Sequence, residues 1–162
     1  MIQRRQTIYM LLSAIVSALL FFMPLASVEA DGNTMDFTVF GIQNPIETMS
    51  FTDANTWPLV LLAVMMTIMP IITIFKYKKR ELQVRLCRID LLLTLVFIGL
   101  VFVYFESDIQ TIINAVEGDT YEMDAAYFIG VAFPLINLIL QILAIRGIKK
   151  DIELLKSIDR LR

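Results

Sequence analysis

Four long apolar stretches alternate with segments that hold most of the polar residues. They cover residues 7–28, 57–75, 89–105 and 125–145, and only the third contains a charge, Asp90. A helix that crosses a bilayer needs about 20 mostly apolar residues, roughly 17–25. All four stretches meet that length, the third at its lower end. The Arg85–Arg88 stretch ahead of the third extends it, because arginines can reach out to headgroups along their apolar stems. The first stretch has a rival reading as a signal peptide, with Arg4 and Arg5 as the basic region and small residues around Val28-Glu29-Ala30. Its apolar run exceeds the roughly 7–15 residues of such a segment, so an uncleaved first helix is expected, with Pro24 near its outer end.

The connecting segments have patterns of their own. Between residues 29 and 56, the run Thr34 to Phe40 is rich in β-formers, and Phe37 and Val39 alternate with Asp36 and Thr38. Ile46 to Phe51 can return as a second strand across turn residues Gly41 to Pro45. The result is a small hairpin. A lone hairpin is marginal in water, so it must rest on the other loop, the helix ends or a partner. In the second such loop, 106–124, Ile109, Ile112, Ile113 and Val116 have helical spacing, and Glu117-Gly118-Asp119 forms a turn. After the fourth span, Ile148, Ile152, Leu155, Ile158 and Leu161 recur at steps of three or four, with charges between them. This pattern is an amphipathic helix over 146–162. It either lies on the membrane surface or continues the fourth helix straight on. The straight continuation is preferred, because no Pro interrupts it. The fold class is therefore an all-α membrane protein. It is an antiparallel four-helix transmembrane bundle, one domain over 1–162, with a small extracytoplasmic β-hairpin and an amphipathic cytoplasmic C-terminal helix. At the level of topology alone the layout resembles claudin-like proteins.

Composition agrees with this reading. The chain is 57% hydrophobic and 19% charged over 162 residues, against about 45–50% and 25% in soluble domains. That excludes a soluble enzyme, a disordered chain and a nucleic-acid-binding module. With no histidine, the usual neutral-pH base and commonest metal ligand are missing. A single cysteine, Cys87, allows no intrachain disulfide and no zinc or iron–sulfur cluster. No catalytic residues, metal or cofactor are expected.

Charge placement sets the orientation. All 14 Lys and Arg residues lie in the N-terminal tail, the segment between spans two and three, and the C-terminal tail. With four spans these share one face, and the positive-inside rule makes it the cytoplasm. Both termini are then cytoplasmic. The two outer loops carry eleven carboxylates and no basic residue, so a net charge of -2 is a +9 face opposite a -11 face. The acidic loops lack the D-x-D-x-D-G spacing of a calcium loop. The candidate surface for anionic headgroups or a partner subunit comprises Arg4, Arg5, Lys78, Lys79, Arg80, Arg85, Arg88, Arg146, Lys149, Lys150, Arg160 and Arg162. Trp57, Tyr104, Tyr121 and Tyr127 flank the spans as an interfacial aromatic belt does.

Polar residues inside spans are the usual place to seek function. Gly130, Pro134, Asn137 and Gln141 follow at steps of four, three and four, on one face of helix four. Amides in hydrocarbon need partners, so that face turns into the bundle as interhelical glue. Asp90 lies about one turn from the cytoplasmic edge, where an ion pair with a neighbouring basic residue or a water contact is expected. Ser13-x3-Ser17 and Ala14-x3-Ala18 are small-xxx-small packing patterns, and Pro70 kinks helix two near its inner end.

Three stretches carry a family resemblance. They are Met1-Ile2-Gln3-Arg4-Arg5-Gln6-Thr7-Ile8-Tyr9, Lys79 to Arg88, and Leu143-Ala144-Ile145-Arg146 on to Ser157-Ile158-Asp159-Arg160-Leu161-Arg162. The chain resembles a family of small four-helix inner-membrane proteins of Bacteroidetes, the domain of unknown function 4293. The resemblance implies an inner-membrane location and four helices, and supplies no activity, cofactor or catalytic residue. In that family Asn is common where this chain has Asp90, which implies that the carboxylate is not a shared requirement. All three stretches fall on the basic face, which points to docking of a partner subunit or anionic lipid there. The leading expectation is a non-catalytic accessory or scaffold subunit of a larger membrane complex. A small oligomeric transporter or channel is the alternative, and a membrane-embedded enzyme ranks last.

Overall fold

A computed structural model describes residues 5–30, 33–43, 56–77, 79–115, 123–127 and 129–160. Its elements run α1 (Arg5–Leu19), β1 (Ala26–Ala30), β2 (Asn33–Thr38), β3 (Gly41–Gln43), α2 (Trp57–Phe75), α3 (Arg80–Ala115), β4 (Met123–Tyr127), a 3-10 turn (Ile129–Val131) and α4 (Ala132–Arg160). The helices pack in a ring, α1 on α2, α2 on α3, α3 on α4 and α4 on α1. Side-chain pairs fix their directions. Gln6 meets Asp151 and Ser13 meets Asn137, so α1 and α4 are antiparallel. Arg80 meets Asp151 and Thr94 meets Asn137, so α3 opposes α4 as well. Gln83 Nε2 donates to Thr73 O at 2.9 Å, which closes α2 back on α3.

Three helices, within Trp57–Phe75, Arg80–Glu106 and Ala132–Leu154, are long and apolar enough to cross a membrane, and α1 adds a shorter apolar helix, Gln6–Leu19. Span two has the bounds read from the sequence. Span one is shorter than expected. Its helix stops at Leu19, and 26–28 belong to strand β1 rather than to helix. A short apolar run fits helix and strand alike, and here Pro24, which has no N–H to donate, stands between the two. Span four likewise begins at Ala132, because 125–127 are strand. The segment expected as an inner loop up to Arg88 is helical from Arg80, and the short helix expected near Ile109 is the end of α3 itself. The C-terminal helix is continuous with α4.

The hairpin is part of a four-stranded antiparallel sheet ordered β3-β2-β1-β4. The expected turn at 41–45 sits earlier. Thr38 pairs with Gly41 across Val39 and Phe40, and Thr38 Oγ1 donates to Gly41 O at 2.8 Å. Gly41 has φ 118°, a conformation side chains rarely adopt. The expected second strand, Ile46 to Phe51, lies outside the described residues. The strand β4 arrives from the second loop and pairs with β1, Ser27 opposite Tyr127. Both loops thus join in one sheet across the end where α1 stops and α4 starts.

Two apolar clusters fill the ring. The one beneath the sheet joins Leu20, Leu25, Phe37, Leu59, Phe97 and Val101. The one at the opposite end joins Met10, Val84, Cys87, Ala144 and Ile148.

Candidate functional site

Between the two apolar clusters lies a layer of polar side chains. Each of three helices contributes a pair four residues apart, which puts both members on one helix face. They are Ser13 and Ser17 on α1, Asp90 and Thr94 on α3, and Asn137 and Gln141 on α4. All six are at most 1% exposed.

The hydrogen bonds run from helix to helix. Ser13 Oγ donates to Asn137 Oδ1. Asn137 Nδ2 donates to Thr94 Oγ1 at 3.1 Å, and Thr94 Oγ1 donates to the Asp90 carbonyl one turn back at 2.8 Å. Gln141 Nε2 donates to Ser13 Oγ at 2.8 Å and to Asp90 Oδ2. Three buried atoms of the layer have no partner: Ser17 Oγ, Asp90 Oδ1 and Gln141 Oε1. An unmet buried polar group costs about 1–3 kcal/mol, so those atoms mark where the layer is incomplete.

Asn137 and Gln141 therefore face inward, and Pro134 is buried on the same face of α4. Gly130 is elsewhere. It sits in the 3-10 turn, donates its N–H to Leu25 O at 3.1 Å, and packs so tightly that a Cβ would fall 2.1 Å from Pro24 O. Its role is close backbone approach between the turn and the start of β1. For Asp90 the expectation is an ion pair with a basic neighbour or a water contact. Its carboxylate meets the Gln141 amide instead, while Arg85 and Arg88 point outward on the opposite side of α3. The reason is helical spacing. Asp90 shares its face with Cys87, Thr94 and Phe97, all buried. Thr94 was missed in the sequence, although its four-residue step from Asp90 carries the same signal. Ser13 was read as a small packing residue, and it is a hydrogen-bonding hub.

A second, smaller polar contact closes the far end. Gln6 Nε2 donates to Asp151 Oδ2 at 2.6 Å, and Arg80 Nη1 donates to Asp151 O at 3.1 Å. Gly147 lets α1 approach there, since a Cβ would stand 3.3 Å from Gln6 Cβ. Lys79, Arg85, Arg88, Arg146, Lys149 and Lys150 are exposed around this end. Arg5 and Arg160 lie in α1 and α4 but their side chains are not described, and Arg4, Lys78 and Arg162 lie outside the described residues. Cys87 is buried in the apolar cluster. Among the described residues no group of three or more His, Cys, Asp or Glu is placed to hold a metal ion.

The outer faces reverse this pattern. Ile8, Leu12 and Ile15 on α1, Ile68 and Ile71 on α2, Leu92, Val96 and Val103 on α3, and Ile136 and Ile139 on α4 are all exposed. Trp57, Phe22 and Phe40 are exposed near the sheet, and Phe75 and Tyr77 at the other end of α2.

The family model described as "Domain of unknown function (DUF4293)" matches residues 2–161. No curated protein and no solved structure matches the chain.

Proposed function

The chain belongs to the DUF4293 family, and from that premise we propose that it is a non-catalytic inner-membrane protein, an accessory or scaffold subunit of a larger complex. The observation that carries this reading is the inverted distribution of polarity. Polar side chains tie three helices together inside, while large apolar residues cover the outside. A polar interior and an apolar exterior suit lipid as the surrounding solvent. The 19 residues of α2 span about 28 Å at the usual helical rise, close to the roughly 30 Å of bilayer hydrocarbon. Exposed aromatics near both of its ends sit where interfacial belts form. The basic end then faces the cytoplasm, both termini included, and offers Lys79, Arg85, Arg88, Arg146, Lys149 and Lys150 to anionic headgroups or an acidic partner.

The test is native mass spectrometry of the tagged protein released in mild detergent. Stoichiometric membrane subunits are expected, and the charge reversals Arg85→Glu and Arg88→Glu should release them. A lone chain in wild-type preparations contradicts the subunit reading.

A small transporter or channel is the second reading. It is favoured by a buried carboxylate and two amides within apolar helices, because ionisable groups at such depth often mark ion paths. It requires solute or ion flux in liposomes that Asn137→Leu or Gln141→Leu alters. Flux that is absent, or indifferent to both changes, removes it.

A further inference from the structure

Two of the unpartnered oxygens flank a single hydrogen bond. Gln141 Nε2 spends one hydrogen on Ser13 Oγ and the other on Asp90 Oδ2. Gln141 Oε1, on the same amide, has no donor, and neither has Asp90 Oδ1, on the same carboxyl. Both oxygens can only accept when the carboxyl is ionised. The amide has no hydrogen left to give.

Among the described residues the surroundings offer no compensating charge to the carboxyl. The helix α2 contains no ionisable residue. On α3 the neighbouring Arg85 and Arg88 are exposed, and buried Cys87 is a neutral thiol donor at most. On α4 the nearest cation, Arg146, is exposed, and Asp151 binds Gln6 further along. On α1, Tyr9 packs into the apolar cluster around Met10. With only the neutral amides of Gln141 and Asn137 beside it, an ionised carboxylate in such a setting is strongly disfavoured.

One kind of species answers both unpartnered oxygens of this pair and the carboxylate charge at once: a single positive charge placed between them. We propose that Asp90 and Gln141 form a monovalent-cation site, in which a proton or a sodium-sized ion is shared between Asp90 Oδ1 and Gln141 Oε1. A proton on Oδ1 donates to Oε1 and closes a two-bond acid–amide pair with the Nε2–Oδ2 bond already present. A sodium ion would take the same two oxygens among its ligands, hard oxygens that suit a hard cation. A divalent ion is a poorer fit, because Asp90 is the one carboxylate in the layer. A bound water could donate to both oxygens but leaves the charge uncompensated. The site is independent of the scaffold reading and stands or falls apart from it.

The test uses the full chain in nanodiscs. One arm follows thermal unfolding as Na⁺ replaces N-methylglucamine at constant ionic strength. The other records the infrared carbonyl band of a protonated carboxyl, as a wild-type minus Asp90→Asn difference in sodium-free buffer at neutral pH. A sodium site raises the Tm by about 3–6 °C at ten times its Kd, and Asp90→Asn abolishes the rise. A proton site gives the carbonyl band without sodium dependence, and Gln141→Leu shifts that band upward by removing its acceptor. Asn keeps the acceptor that Gln141 Nε2 uses, so the variant is expected to fold; Gln141→Leu serves in the sodium arm as well. A Tm indifferent to Na⁺ together with no protonated-carboxyl band, an ionised and unaccompanied carboxylate, overturns the proposal.

Discussion

The apolar cluster beneath the sheet and the polar layer next to it are one helical turn apart on α3, at Phe97 and Thr94, yet they stabilise the molecule by different means. Beneath the sheet the two loops fold over the helix ends, and Phe37 of β2 stands edge-on to Phe105 of α3, with ring centroids 6.1 Å apart. In the proposed membrane setting that end faces water, where burial of apolar area drives association at about 25 cal/mol per Å². In the membrane setting proposed above, the middle of the ring has no such drive, because lipid tails are as apolar as leucine. Contact there must come from close packing and from hydrogen bonds that lipid cannot offer. The polar layer supplies those bonds between α1, α3 and α4. The helix α2 takes no part in the hydrogen bonds described for the layer and packs through Ala63, Met66 and Pro70. Strength therefore comes from the sheet end and helix register from the layer.

Substitutions can separate the two contributions. The largest effect is expected at the sheet end, from Gly130→Ala. Its new Cβ would meet Pro24 O at 2.1 Å and Leu25 Cα at 2.4 Å, both backbone atoms with little room to yield. A loss of about 3 kcal/mol is expected in reversible unfolding by denaturing detergent. A neutral result would mean that the 3-10 turn does not press on β1. Next comes Asn137→Leu in the layer, which leaves Ser13 and Thr94 short of a partner. Its expected cost in the same assay is about 1–2 kcal/mol. A gain in stability would show that the layer is kept for something other than holding helices. The smallest effect is Gly99→Ala on the outer face of α3, where a Cβ meets nothing within 4 Å. Removing backbone freedom from the unfolded chain should stabilise by about 0.4–1 kcal/mol. A marked loss instead would reveal a partner helix packed against that face.

The helices were legible in the sequence to different degrees, and the reasons are physical. The bounds of α2 coincide with the apolar run, because Trp57-Pro58 opens it and Lys76 closes it. The first and fourth spans were read too long, since residues 26–28 and 125–127 are apolar enough for either structure. Their fate was set by pairing β1 with β4, strands nearly a hundred residues apart in the chain. Local periodicity carries no trace of such a partner. The amides of Asn137 and Gln141 stood out because an amide in an apolar run is costly. Ser13 and Thr94 did not, because a hydroxyl can satisfy itself on its own helix, as Thr94 partly does on the Asp90 carbonyl. Asp90 shows the same limit: nearness in sequence points to a basic neighbour or to water, whereas the helical face brings its carboxylate to Gln141.

A double-mutant cycle on Ser13→Ala and Gln141→Leu tests most directly whether the polar layer ties α1 to α4. The two residues are 128 positions apart in sequence and joined by a 2.8 Å hydrogen bond. With unfolding followed in the same detergent system, a coupling energy of about 0.6–2 kcal/mol is expected. Strict additivity, within about 0.3 kcal/mol, would contradict the account.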